Sequence, residues 1–430
     1  MTRRLPPPRD GEEARQRLLA APIPRPILAV LETLDRAGYH GVVVGGAVRD
    51  ALLGETGGDW DVASNATPQE VIALFPKTIP TGIEHGTVTV MTGRGDDRHA
   101  VELTTFRGEG EYHDGRRPSE VRFLRELTDD LARRDLTINA FAWDPVNAVF
   151  TDAFGGLEDL RAGLIRAVGD AAVRFAEDGL RTMRAVRFAA CMGFTLAPET
   201  EAAIAGALPV FDKVSRERVR VELVKLLAAS RPSLGLVPMA RTGLWDRVLA
   251  PLVDPVRSES IAAVDRLPRR AMLRLARLLW PVRHERAQLE HTLDQLKLSR
   301  EERARVLRLT DLAVDELHEA ALLTDASAGV CVRRVVAELE RGYLEDAIDL
   351  LELDAGSRTR IDVALSGAAL TGKELAIKGR DLIEAKLATP GKQLGELLDG
   401  LLEWVIDEPS RNTPEQLHAE AARRSGVISR

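Results

Sequence analysis

Val42-Val43-Val44-Gly45-Gly46-Ala47-Val48-Arg49-Asp50, followed by Asp59-Trp60-Asp61-Val62, is the stretch whose reading decides the fold. It reads as an apolar strand over Gly41–Val44, a glycine turn, a helix opening at Val48, and a second strand over Asp59–Ala63. Side chains i and i+2 of a strand share a face roughly 6–7 Å apart. Asp59 and Asp61 are therefore candidates to hold two divalent metals between them. Two such ions about 4 Å apart suit in-line displacement at phosphorus, because both the entering and the leaving oxygen are stabilised. Gly45 and Gly46 allow backbone N–H groups to approach a triphosphate, and Arg49 adds a charged fork. Each part has a plainer reading: a solvated Asp-x-Asp turn, a glycine used only for its turn, a surface Arg–Asp pair. Their order, within about twenty residues of an apolar run, points to transfer of a nucleotidyl group.

The 430-residue chain is long enough for two to four domains with at least one large core. No run of eighteen apolar residues suggests a membrane span. Two cysteines, Cys191 and Cys331, imply no disulfide framework and fit a reducing, cytoplasmic setting; helix-like apolar surroundings make each a packing residue. The net charge of −7 argues against a nucleic-acid partner until its distribution is considered. Residues 161–290 hold 22 Lys plus Arg against 14 Asp plus Glu, leaving −15 on the other 300 residues. Such a basic middle can hold a phosphate backbone, although any one arginine there also fits a solvated helix face.

Residues 1–22, with the Pro6-Pro7-Pro8 cluster, are expected to form a disordered tail. From Pro26 to Ala37 the pattern is an amphipathic helix. Thr67-Pro68-Gln69-Glu70 is a capping box with proline at the first helical position. Thr87–Thr92 and Ala100–Phe106 alternate as paired strands joined by a turn over Gly93–Arg98, and Gly108–Pro118 reads as a mobile loop. Beyond Leu157 strand signals almost vanish, and helical periodicity runs to the end with breaks at prolines and glycines such as Pro198, Pro209 and Pro251–Pro255. The expected fold class is α+β: a catalytic head at 23–160 with a small mixed or antiparallel sheet, then an elongated all-α remainder comprising a neck at 161–228, a body at 229–350 and a tail at 351–430.

Two further polar stretches carry chemistry. In Asp129-Asp130-Leu131-Ala132-Arg133-Arg134-Asp135-Leu136-Thr137-Ile138-Asn139, Arg134 is a candidate triphosphate clamp. Asp135 and Asn139, four apart on a helix, would share a face towards a ribose; a helix cap beside a solvated arginine pair is the plainer reading. In Glu177-Asp178-Gly179-Leu180-Arg181-Thr182-Met183-Arg184-Ala185-Val186-Arg187, Asp178 and Arg181 are helical neighbours, and Arg184 and Arg187 continue the three-residue step. A surface Asp–Arg pair would contribute little. Flanked by Phe175, Met183, Val186 and Phe188, the pair instead offers an acceptor–donor edge. It matches the amine and adjacent ring nitrogen of cytosine or adenine and mismatches uracil and guanine, at about 1–3 kcal/mol per unsatisfied group.

These motifs, in order and spacing, resemble class II tRNA nucleotidyltransferases, the CCA-adding enzymes of the polymerase-β-like superfamily. Asp152-x-x-Gly155-Gly156-x-x-Asp159-Leu160, Val214-Ser215-x-Glu217-Arg218-Val219 and the Thr105–Pro118 loop add to the match, which is strong over about 40–225, weaker at Leu370–Leu375 and Pro390–Gly395, and faint over 226–365. The resemblance implies a polymerase-β-like head, magnesium in a two-metal site on Asp59 and Asp61, and Glu102 as a possible third ligand that an edge strand with an arginine partner would also explain. It assigns the triphosphate to Gly46, Arg49 and Arg134, with Gly45 in the same turn, and the base to Asp178 and Arg181, with Arg184 and Arg187 in support. Asp135 and Asn139 join the nucleotide-binding set. Substrates would be CTP and ATP, and the partner tRNA, gripped by the C-terminal helices; no membrane is involved, and the protein is a monomer or homodimer in the cytoplasm. His113-Asp114 is the only His-Asp dipeptide and has no ligand series after it, so no phosphohydrolase domain is expected. Complete CCA addition ranks first, A-only addition second and polyadenylation third. Retention of the loop sets the chain apart from relatives adding only CC. An inactive RNA-binding relative and a small-molecule nucleotidyltransferase are the rivals from outside this group.

Overall fold

The computed structural model describes residues 4–55, 59–93, 99–109, 121–249, 256–325 and 327–425. The turn at 93–98 and the loop at 108–118, with His113-Asp114, fall wholly or mostly outside them, as does the break at 251–255. The described chain falls into two compact units, one of residues 1–265 with 294–297, the other of residues 266–293 with 298–430. The first joins the expected head and neck, and the second begins within the expected body.

The first unit opens with α1 (Gly11–Leu19) and α2 (Arg25–Arg36), then β1 (Gly41–Val44), α3 (Gly46–Leu52), β2 (Asp61–Ser64), α4 (Pro68–Leu74), β3 (Thr78–Gly82), β4 (Thr87–Thr92) and β5 (His99–Thr105). A short ribbon, β6 (Arg107–Glu109) and β7 (Val121–Phe123), leads to α5 (Leu127–Ala132), β8 (Phe141–Asp144), β9 (Val149–Asp152) and α6 (Gly156–Ala162). The main sheet runs β3-β4-β5-β2-β1-β8-β9 and is mixed: β2 and β5 are parallel, the other pairs antiparallel.

All of β1 is buried because both sheet faces are covered. By strand alternation, Val43 faces Val62, Trp143 and the apolar stripe Ile27, Val30, Leu31 and Leu34 of α2. Val42 and Val44 point the other way, with Ala63, Ala142, Leu131 and Phe106. The capping box forms as the sequence predicts, Thr67 accepting from the Glu70 amide and Glu70 from that of Thr67. The expected disordered tail is corrected: Asp10 caps α1 through the Glu13 amide, and Ala14 and Leu18, one turn apart, are buried in the core of the sheet. Leu5 N donates to Leu53 O at 2.8 Å, and Arg17 donates to Leu52 O at 2.7 Å. The proline cluster only precedes this helix; it does not describe it.

After α6 come the two-residue parallel pair β10 (Leu164–Ile165) and β11 (Thr195–Leu196) and the helices α7 (Ala171–Glu177), α8 (Leu180–Met192), α9 (Pro198–Phe211) and α10 (Arg216–Leu227). Pro198 starts α9, and Pro209 sits in its last turn without ending it. The second unit is helical. It buries Asp346, which holds Arg270 at 2.5 Å and Arg305, and Arg333, which donates to the main-chain oxygens of Ile406 and Asp407 at 2.5 and 2.8 Å. Cys191 and Cys331 are free, half-buried thiols. No described helix is long and apolar enough to cross a membrane.

Candidate active site

The β1–β2 register pairs Val44 with Asp61, which puts Asp61 on the sheet face opposite Val43. The β2–β5 register pairs Val62 with Leu103, so Asp61 and Glu102, one residue earlier on each strand, stand side by side on that face, about 4.8 Å apart by strand spacing. Glu102 lies on a central strand, with Thr89 on its other side, and makes no ion pair among the described residues. The edge-strand explanation for it is thereby removed. β2 begins at Asp61, not Asp59, because β1 ends at Val44 and gives way to α3. Asp59 therefore approaches from an irregular segment. It shares a cleft of about 510 Å³ with Asp61, Glu102 and Trp60.

Asp61 opens to solvent, yet the cleft thins its hydration. That loss, with repulsion from Glu102 and Asp59, raises its carboxyl above the ordinary 3.8 against the pull of Arg134. Among the described residues no three ligand-type side chains converge as a closed metal cage. The donor set fits magnesium nonetheless: all donors are hard oxygens, and this ion typically takes one or two carboxylates together with substrate phosphates.

Asp61 and Glu102 also line a second cavity of about 520 Å³, whose far wall carries Arg107, Arg133, Arg134, Asp135, Asp178, Arg181, Arg184 and Arg218. A single carboxylate organises part of this wall. Asp130, 1 % exposed, accepts from Arg133 at 2.8 and 3.0 Å, from Arg134 at 3.3 Å and from the Arg107 amide at 3.3 Å. Burial pushes its carboxyl up, but Arg133 and Arg134 more than offset this and hold it below the usual range. Burial pushes Arg134 below its ordinary value, and its Nε has no hydrogen-bond partner among the described residues. Its Nη1 lies 2.9 Å from where a Cβ on Gly45 would stand. Gly45, at φ 80°, is required by its backbone, and a side chain there would also push the Arg134 guanidinium aside.

The predicted helix through Asp135 and Asn139 does not form. α5 ends at Ala132, and Leu136 is extended before a single 3-10 turn over Thr137–Asn139. The two side chains meet anyway, Asn139 Nδ2 donating to Asp135 Oδ1 at 3.1 Å. Both are buried. Asn139 also accepts from Arg49, which is 7 % exposed, donates to Asp50 at 2.7 Å and lies 5.1 Å from the Phe188 ring. Asp135 accepts from Arg184 at 2.6–2.7 Å, and Glu222 accepts from Arg187 at 2.7 Å. Burial raises the Asp135 carboxyl, yet Arg184 and Asn139 bring it below its usual value. Arg49, Asn139 and Arg187 thus stand behind the cavity wall and brace it, while Asp135 and Arg184 belong to the wall itself.

Asp178 and Arg181 are not on one continuous helix. The chain breaks between α7 and α8, with Asp178 extended at φ −145° and ψ 108°. Gly179 follows because a Cβ there would lie 2.5 Å from the Phe211 backbone. Both side chains still reach the cavity. Arg181 donates to Glu177 and, at 2.9 Å, to the Arg133 carbonyl. Asp130, Glu177, Glu222 and Arg218 went unassigned in the sequence; Glu177 and Arg218 carried a signal, each lying inside a motif of the resemblance.

Three family models match the chain: "Poly A polymerase head domain" at residues 42–166, an RNA- and SrmB-binding region of polymerase A at 193–256, and tRNA nucleotidyltransferase domain 2 at 271–421. The CCA-adding enzyme of Lactiplantibacillus plantarum is 38 % identical over 400 residues, spanning 90 % of this chain and 93 % of that protein. That of Geobacillus stearothermophilus is 36 % identical over 423 residues, with 93 % and 96 % covered. Among solved structures, the Bacillus stearothermophilus CCA-adding enzyme in complex with CTP superimposes with a TM-score of 0.74 at 31 % identity, over 94 % of this chain and 98 % of that one. The Thermotoga maritima enzyme complexed with tRNA shares the fold, with a TM-score of 0.69 at 22 % identity over 95 % and 98 %.

Proposed function

The chain belongs to the CCA-adding tRNA nucleotidyltransferases, and from that premise we propose how its own residues divide the reaction. The enzyme adds CCA to the 3′ end of tRNA from CTP and ATP, without a nucleic-acid template. The observation that carries the residue assignment is one cavity with Asp61 and Glu102 on one wall and the Arg134, Asp178 and Arg181 cluster on the other.

The triphosphate lies against Arg134 and the Gly45-Gly46 turn. Arg134 is oriented by Asp130, and the turn is braced from behind by Arg49. The base meets Asp178 and Arg181, whose acceptor and donor suit cytosine and adenine. The tRNA 3′ hydroxyl attacks the α-phosphorus from the Asp61 side, and pyrophosphate leaves towards Arg134 in line with it. Asp59 and Asp61, with Glu102 beside them, would hold magnesium, which when bound would supply charge stabilisation at the reacting phosphate. The acceptor-stem phosphates lie along the basic neck and body, so binding weakens steeply with salt, while the C-terminal helices grip the tRNA body.

The test is incubation with tRNA lacking its 3′ end, with CTP alone, ATP alone or both, followed by product sequencing. CC from CTP and CCA from both nucleotides is expected. Incorporation of A only onto tRNA already ending in CC would replace this reading by A-only addition.

A further inference from the structure

Arg218 lies in the first turn of α10 and lines the nucleotide cavity. Its Nη2 donates to Asp178 Oδ2 at 2.7 Å, across forty residues of sequence. The other carboxylate oxygen, Oδ1, is turned to the start of α8, where it accepts from Leu180 N at 3.0 Å. The carboxylate is therefore pinned at both ends. A carboxylate oxygen can take a second donor, so Oδ2 held by Arg218 still has room for one more.

We infer that Arg218 is a specificity-determining positioning residue: it fixes the Asp178 carboxylate so that its remaining acceptor site faces the incoming base. The inference rests on the reading of Asp178 as the base acceptor. With Oδ2 fixed, a base amine meets an acceptor, whereas a base carbonyl in the same place meets an oxygen that cannot turn aside. Without Arg218 the carboxylate is tethered only through Oδ1, and it can rotate away from a mismatched carbonyl. The arginine side chain is 39 % exposed and the contact is a single hydrogen bond. Half-open pairs of this kind add little to stability, so the consequence of the contact is orientation. A single-point contact is also one that lysine can reproduce, unlike a bidentate fork.

The experiment measures kcat and KM for CTP against UTP on tRNA lacking CCA, and for ATP against GTP on tRNA ending in CC. The proteins are the full-length chain, Arg218→Ala, Arg218→Lys, Asp178→Ala and the double alanine variant, with thermal melts alongside. Arg218→Ala is expected to lower both selectivity ratios about tenfold, the scale on which lost supporting contacts act. The change should come mainly through KM, raised for CTP and ATP and lowered for UTP and GTP. Arg218→Lys should recover most of it, and Arg218→Ala should change nothing further in the Asp178→Ala background. An equal loss for all four nucleotides, with the ratios unchanged, would overturn the inference, as would an additive effect in the double variant. If Asp178→Ala itself leaves the ratios unchanged, base reading by Asp178 fails and the inference with it. If Asp178→Ala relaxes selectivity and Arg218→Ala does not, only the inference fails.

Discussion

The two walls of the nucleotide cavity are built on opposite electrostatic plans. On the sheet wall Asp61 and Glu102 stand on adjacent strands with no ion pair among the described residues, and Asp61 is pushed towards its neutral form. On the helical wall nearly every charge is answered: Asp130 by Arg133 and Arg134, Asp135 by Arg184, Asp178 by Arg218, with Glu222 answered by Arg187 behind it. The difference shows where each wall finds its complement. The paired wall is organised before any ligand arrives and holds its guanidinium groups in fixed positions. The unpaired wall keeps an excess of negative charge that Arg134 offsets only in part and that a bound cation would relieve.

The comparison is tested most severely at Asp61. Asp61→Asn should lower incorporation of both C and A on the order of a thousandfold or more, while tRNA binding persists; retained turnover would remove the metal assignment. The same variant should be more stable than the parent at pH 7. The native pKa is raised above 3.8, so the folded state holds its proton more tightly than the unfolded one, and ionisation at neutral pH costs stability. That gain should vanish below about pH 3, where the carboxyl is protonated in both states. Thermal melts across pH check the sign, and a destabilised variant would show that Asp61 is compensated after all.

The paired wall predicts the opposite response. Asp130→Ala leaves two half-buried arginines facing each other and should cost about 3 kcal/mol in denaturant unfolding, with loss of activity following the loss of order around Arg134. A neutral result would mean that the arginines repack on other acceptors. The smallest effect is expected at Glu102. Glu102→Gln should reduce turnover about tenfold, the scale of a supporting group rather than a required ligand. It should also bring the Asp61 pKa back towards its ordinary value, visible in the acid limb of the pH–rate profile. Loss as large as that of Asp61→Asn would make Glu102 a required ligand.

Much of this was legible in the chain itself. The switch from mixed to helical periodicity near Leu157, the apolar run before Gly45, and the Thr67 capping box are local patterns that secondary structure follows directly. The misreadings have physical causes. Three prolines suggested disorder at the N-terminus, where Ala14 and Leu18 instead find a core that no local window contains. The helix expected through Asp135 and Asn139 gave way because Asp135 turns its carboxylate to the Leu136 amide and to Arg184. The helix expected through Asp178 breaks at Asp178 itself, which is extended and turns its carboxylate to the Leu180 amide, and α9 passes so close that a Cβ at position 179 would meet it.

The sequence alone determined which chemical groups are present and in what order: carboxylates after a glycine turn, arginines before Asp135, and an acidic–basic pair at 178 and 181. It determined as well the switch from a mixed head to a helical remainder near Leu157, because that pattern depends on residues within one or two turns of each other. Only the tertiary structure decided which charges are answered and which are left open. Arg218 reaches Asp178 across forty residues, Arg184 reaches Asp135 across forty-nine, and Asp61 makes no ion pair among the described residues, feeling Arg134 only from a distance. Such pairings follow from strand register and helix packing, which bring distant segments within a few ångströms, where electrostatic energy is decided by distance and hydration rather than by position in the chain.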